Sequence, residues 1–174
     1  SQWDNSDNWK IEDGSMISGK GDVRSKASFG DCQLHIEWSA PSPPTGTSQG
    51  RGNSGVFLQG AYEVQVLDSY GLELGRGDCG SIYGVKIADS NASRAPLVWQ
   101  TYDYDFTAAR YDDAGKKVKN ARITLWHNGV VIHDDLELPK GTPGKHAEAA
   151  GPGILYLQGH GNPVVYRNIW AIKK

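Results

Sequence analysis

In Cys32-Gln33-Leu34-His35-Ile36-Glu37-Trp38 the even positions are apolar and the odd positions polar. Side chains along a β-strand point alternately to opposite faces, so this stretch can press one face on a core and turn the other to solvent. Wound as a helix, the same residues would scatter their apolar groups around the whole cylinder. Tyr62-Glu63-Val64-Gln65-Val66 repeats the alternation, again with the polar residues at odd positions. Further strands are expected at 56–58, 98–106, 122–127, 130–133, 154–158 and 164–172. Asn128-Gly129 joins two of these runs, and both residues tolerate positive φ, which a two-residue hairpin requires. No long stretch shows helical spacing. The best helix candidate, 145–150, is short and enclosed by Gly144, Gly151 and Pro152.

With 22 glycines to make turns, the expected fold is all-β: an antiparallel two-sheet β-sandwich. Residues 1–174 read as one domain, because no repeat or shift in composition divides them and the Pro, Ser, Thr and Gly rich segment 41–52 is too short for a linker. A net charge of -2 provides no electropositive field for nucleic acid or an anionic membrane. No apolar run is long enough for a membrane-spanning helix. The chain opens on a polar Ser-Gln-Trp-Asp, compatible with an N-terminus left after processing. Cys32 and Cys79 could pair in an exported protein, or stay free and buried. They lack metal-ligand spacing.

The polar side of the two clearest strands carries His35, Glu37, Glu63 and Gln65. If the strands share a sheet, these residues form one polar floor, and Tyr83, Trp99, Tyr102 and Tyr104 could wall a groove above it. Such a groove suits a sugar, whose hydroxyls need donors and acceptors while its ring face stacks on an aromatic. Most of these Trp and Tyr residues also read as core, and for any single one the core is the favoured place. Glu63 and Gln65 share a face, whereas Asp68 points to the other unless a bulge resets the register. With a bulge, Glu63 and Asp68 could flank a glycosidic bond about 5–5.5 Å apart, the retaining-glycosidase separation. The segment is similar to the Glu-x-Asp-x-x-Glu strand of laminarinase-like glycosidases, with Gln65 replacing the middle Asp and Asp68 the final Glu. A Gln cannot tune its neighbours as a carboxylate does, which weakens the two-carboxylate mechanism.

The turn Gly52-Asn53-Ser54-Gly55 could present Arg51 and Asn53 to a ligand. Leu157-Gln158-Gly159-His160-Gly161-Asn162-Pro163 sets Gln158 and His160 among glycines, where His160 could be a base, a metal ligand or a plain loop residue. Asn91-Ala92-Ser93 matches a glycosylation sequon. Asp68 and Asp78 are available for calcium, but no loop has the density of acidic residues that ion needs.

Taken in order, Leu34-His35-Ile36-Glu37-Trp38, Arg51-Gly52-Asn53-Ser54-Gly55-Val56-Phe57-Leu58 and Tyr62-Glu63-Val64-Gln65-Val66-Leu67-Asp68-Ser69-Tyr70 resemble the domain of unknown function 1080 family, also named the 3-keto-disaccharide hydrolase domain. Cys79-Gly80-Ser81-Ile82-Tyr83-Gly84, Trp99-Gln100-Thr101-Tyr102, His127-Asn128-Gly129-Val130, the segment 157–163 and Arg167-Asn168-Ile169-Trp170 continue the resemblance over nearly the whole chain. Gly159 departs from it, since the family often has Asp there.

The resemblance implies a jelly roll of the concanavalin A-like lectin and glucanase type. It also implies a secreted, periplasmic or cell-surface bacterial protein acting on carbohydrate, commonly on sugars oxidised at C3. A ketone at C3 acidifies the C2 proton, so one base can form an enolate and expel the aglycone from C1. Water can add later to complete net hydrolysis. His35, Glu37, Glu63 and His160 are the candidate catalytic bases or ligands. Arg51, Asn53, Gln65 and Gln158 are candidate donors, and Tyr83, Trp99 and Tyr102 candidate stacking residues. No organic cofactor is expected, and a divalent metal that would hold the enolate oxygen is left open. The alternative is a non-catalytic carbohydrate-binding module, because the same fold serves lectins.

Overall fold

The structure, a computed structural model, describes residues 2–174. Its strands are β1 (Trp3–Asp4), β2 (Lys10–Glu12), β3 (Ser15–Ile17), β4 (Val23–Phe29), β5 (Cys32–Ser39), β6 (Ser54–Leu58) and β7 (Tyr62–Val66). They continue as β8 (Gln100–Thr107), β9 (Arg110–Tyr111), β10 (Lys117–Lys119), β11 (Ala121–His127), β12 (Val130–Leu138), β13 (Gly153–Leu157) and β14 (Val165–Lys173). All pairings are antiparallel. One sheet has five strands in the order β1-β4-β13-β6-β7, and the other seven in the order β12-β11-β8-β5-β14-β3-β2. β9 and β10 form a separate two-stranded ribbon. The expected sandwich is present, and its element order follows the alternation of the sequence.

Inward-facing residues of the two sheets meet in a shared core that includes Trp38, Tyr62, Val64, Tyr102, Phe106, Ile123, Leu125 and Tyr166. β8 and β11 alternate buried and half-buried along their whole length, as strands with one covered face must. Asn128 (φ 52°) and Gly129 (φ 80°) make the hairpin turn between β11 and β12.

The structure departs from the sequence reading, or adds to it, at four places. β12 runs to Leu138, past the expected end at His133, because register shifts against β11 carry the pairing through the polar Asp134-Asp135. Strands β1 to β4 go unread in the sequence: β1 to β3 have only two or three residues each, and β4 mixes Arg24, Ser25, Lys26 and Ser28 among few apolar residues, so they carry little alternation. Residues 145–150 form no helix; they belong to the connection from β12 to β13, where Glu148 accepts hydrogen bonds from Tyr62 Oη and Lys117 Nζ. Cys32 and Cys79 are free and buried. Cys32 pairs across from Phe106, whereas Cys79 Sγ meets the Tyr102 hydroxyl at 3.1 Å, farther along β8.

Candidate active site

Register places the polar side chains of β7 beside an unusual neighbour on β6. Glu63 is opposite Phe57 and Gln65 is opposite Gly55. Across β6, Tyr156 of β13 lies opposite Phe57, and the Gln158 N–H donates to Gly55 O at 2.9 Å. These residues occupy the outward side of the five-stranded sheet, yet Glu63, Gln65 and Phe57 are all buried. The cover comes from loops. β7 is the last strand of its sheet, and its free edge is taken by the segment 80–83, where Tyr83 N–H donates to Glu63 O and Gln65 N–H to Ser81 O. From the other side the connection after β12 folds over, with the Glu63 N–H donating to Thr142 Oγ1 at 2.9 Å.

Between these loops lies a cleft of about 290 Å³. Glu63, Gln65 and Phe57 line it from neighbouring strands, with Asn53, Gln49, Tyr83, Lys145, Gln158 and His160 supplied by the surrounding loops. Glu63 is the one carboxylate lining it. Residue 63 is only 4% exposed, and among the described residues no side-chain or backbone donor bonds its carboxylate. Burial, opposed by the Lys145 charge and assisted by that of Asp22, pushes the Glu63 carboxyl up to about 7. A carboxylate at that value can take a proton near neutral pH and release it again.

Lys145 is held in place. Its Nζ lies 2.6 Å from Asp22 Oδ2 and 5.6 Å from the centroid of the Phe57 ring. Asp22 also accepts the Gly159 N–H at 3.2 Å, so one carboxylate ties the loop carrying Lys145 to the segment carrying His160. His160 is exposed at the rim.

The site residues expected from sequence divide between two faces of the molecule. Glu63, Gln65, Asn53, Gln158, His160 and Tyr83 converge on the cleft. His35 and Glu37 do not, because β5 belongs to the seven-stranded sheet. His35 Nδ1 lies 2.6 Å from Asp103 Oδ1 and its ring stacks on Trp170, while Glu37 accepts from Arg167 Nε at 2.5 Å and Asn168 Nδ2 at 2.9 Å. Trp99 joins that same group, with the Arg167 guanidinium 3.8 Å from its ring centroid. Tyr102 and Tyr104 face inward and are core residues; Tyr102 is 0% exposed, and its hydroxyl donates to Gln65 O at 2.7 Å. Arg51 does not line the cleft; it ties its loop to the segment after β7, its Nε donating to the buried Asp68 carboxylate at 2.8 Å. With Asp68 so engaged and outside the cleft, the paired-carboxylate arrangement with Glu63 does not form.

Lys145, Gln49, Phe57 and Asp22 were missed. Lys145 and Gln49 lie in irregular loops, and Phe57 alternates with apolar neighbours in a strand that reads as all core. No local pattern marks them. Among the described residues no group of three or more His, Cys, Asp or Glu is placed to hold a metal ion, and no helix is long and apolar enough to cross a membrane.

The profile of the 3-keto-alpha-glucoside-1,2-lyase-like domain matches residues 1–172. A candidate glycosyl hydrolase of Parabacteroides distasonis ATCC 8503 has a similar structure, with 38% identity, a TM-score of 0.92, and coverage of 100% of this chain and 79% of its own. A second candidate glycosyl hydrolase of that organism shares 21% identity over 99% of this chain and 94% of its own, at a TM-score of 0.67, and shows the fold alone. So does the carbohydrate binding module CBM66 of Bacillus subtilis, with 12% identity, a TM-score of 0.54, and coverage of 98% and 95%. No curated protein matches the chain.

Proposed function

The chain belongs to the 3-keto-alpha-glucoside-1,2-lyase-like family, and from that premise we propose that it cleaves 3-keto-glycosides by removing the C2 proton, with Glu63 as the base. The observation that carries this reading is the lone, buried, near-neutral carboxylate of the cleft. Ordinary glycoside hydrolysis uses two carboxyl groups flanking the bond. A substrate whose C2–H is already acidified by a neighbouring ketone needs only one base.

Ionised Glu63 accepts the C2 proton, and the electrons of that C–H bond become the C2–C3 double bond of an enolate. Lys145, whose ammonium is fixed by Asp22 and faces the same cleft, offsets the charge growing on the C3 oxygen. Collapse of the enolate forms the C1–C2 double bond and breaks the bond from C1 to the aglycone oxygen. His160 at the rim, or Glu63 now protonated, supplies the leaving oxygen with its proton. Water adding across C1–C2 afterwards makes the net reaction a hydrolysis. Tyr83 and the Phe57 edge provide the apolar contact for the ring.

Incubating wild type and Glu63→Gln with 3-keto-glucosides and with their unoxidised parents, in deuterated water, tests the reading. Wild type should release aglycone from the keto sugars alone and place deuterium at C2 of recovered substrate. Glu63→Gln should lose roughly 10²–10⁴-fold in rate. Binding of glycosides by wild type without any cleavage or exchange would make the domain a carbohydrate-binding module instead.

A further inference from the structure

Three amides lining the cleft have orientations fixed by two backbone carbonyls. Gln49 Nε2 donates to Gly77 O at 2.8 Å. A carbonyl oxygen only accepts, so the nitrogen of Gln49 must face it and the Gln49 oxygen must face the other way. That oxygen receives Gln65 Nε2 at 2.8 Å, which commits the Gln65 amide in turn. Gln65 Oε1 is then left as a buried acceptor with no partner among the described residues. Asn53 is committed likewise, because its Nδ2 donates to Gln49 O at 2.6 Å and turns Oδ1 toward Gln65. Neither Gln65 nor Asn53 can rotate to offer its nitrogen to a ligand without breaking this relay.

A buried acceptor without a donor costs free energy, and residue 65, which lines the cleft, is 1% exposed. The side chain is therefore set to accept, where sequence alone marked it as a donor. Glu63 and Gln65 stand two residues apart on one face of β7, about 7 Å along the strand, so one bound sugar can meet both. With C1 carrying the aglycone, C2 at Glu63 and C3 oxidised, the hydroxyls left for Gln65 are those of C4 and C6.

We propose that Gln65 is a specificity-determining residue of this cleft: its Oε1 accepts the hydroxyl hydrogen at C4 or at the C6 carbinol of the bound sugar. The inference rests on the proposed reading only for where C2 lies, since it takes Glu63 to be the base at that carbon. The consequence is selection of sugars with a free hydroxyl there. A deoxy, fluoro or methoxy analogue brings no proton and leaves the acceptor unpaired.

The test uses wild-type protein and two readouts. Calorimetry compares methyl glucoside with its 4-deoxy and 6-deoxy analogues, and kinetics compares the corresponding 3-keto-glucosides. One of the two analogues should lose about 10- to 100-fold in both readouts, the loss expected for leaving a buried acceptor without its hydrogen. Gln65→Leu, with folding checked by melting temperature, should bind parent and analogue alike. If both analogues match the parent with wild type, the inference is overturned while the base assignment stands. If discrimination appears in binding but no keto sugar is cleaved, the catalytic reading falls and the Gln65 assignment survives. Binding of none of the glucosides removes both.

Discussion

The Glu63 carboxylate fills the place where Gly55 lacks a side chain: a Cβ on Gly55 would lie 2.4 Å from Glu63 Oε1 and 3.2 Å from its Cδ. The two residues are diagonal neighbours on the outward face of β6 and β7, and the missing methyl group lets the acid lie down against the sheet. That position both buries Glu63 and keeps it at the cleft floor. Gly55→Ala should displace the carboxylate while leaving the strand pairing intact. Turnover of a 3-keto-glucoside should fall at least about tenfold, with a stability change of no more than about 1 kcal/mol in a denaturant titration, because the atom met is the free end of a flexible side chain. Unchanged turnover would show that the carboxylate position is not critical.

Burial of Glu63 also sets a pH dependence. Its carboxyl titrates near 4.5 when unperturbed and at about 7 in the folded protein, so the folded state holds the proton more tightly than the unfolded one. Between pH 4.5 and 7 this group makes stability fall as pH rises, by an amount on the order of 3 kcal/mol in full. The stability difference between wild type and Glu63→Gln, followed by urea unfolding, should therefore shift in favour of the variant across that window and be flat below it. The same group predicts that wild-type kcat/KM climbs with pH to a plateau above about 7, as the base becomes ionised. A flat stability difference would mean that Glu63 is solvated.

Tyr102 and Trp99 separate core from site. Tyr102→Phe removes a hydroxyl that donates to Gln65 O, but that oxygen also receives the Gly80 N–H at 3.0 Å. The variant should lose about 1 kcal/mol of stability and little glycoside affinity. Trp99→Ala, beside Arg167 of the opposite sheet, should leave cleft binding by calorimetry within a factor of about two of wild type. A larger loss from Trp99→Ala would reinstate it as a site residue.

Packing at Gly159 opposes the Asp that the resemblance leads one to expect there. A Cβ there would lie 2.1 Å from Gly21 O and 2.6 Å from Gly19 O, both backbone atoms that cannot swing aside. Gly159→Asp should thus destabilise the protein, by roughly 1–3 kcal/mol or more, and should not raise activity. A stable, more active variant in a thermal melt and activity assay would refute the steric account.

Strand positions and the sandwich were legible in the sequence because alternation is a local property. Two residues apart on one strand means one shared face, whatever the rest of the chain does. On those grounds Glu63 and Gln65 are neighbours, as are His35 and Glu37, and the short ordered segments around Asn53 and His160 stand out by their glycines. Alternation carries no information about which sheet a strand joins. β5 and β7 have nearly the same pattern, yet one is central in the seven-stranded sheet and the other is at the edge of the five-stranded sheet. Their polar faces therefore look away from each other on opposite sides of the sandwich. Nor does alternation show that an outward face is covered. The loops of Thr142 and Tyr83 enclose Glu63, a pairing between Asp22 and Lys145 closes the cleft from two distant segments, and a Gly77 carbonyl orients Gln65. Local sequence determined the faces. Long-range packing decided which face became a site, because burial and hydrogen-bond partners are set by neighbours far along the chain.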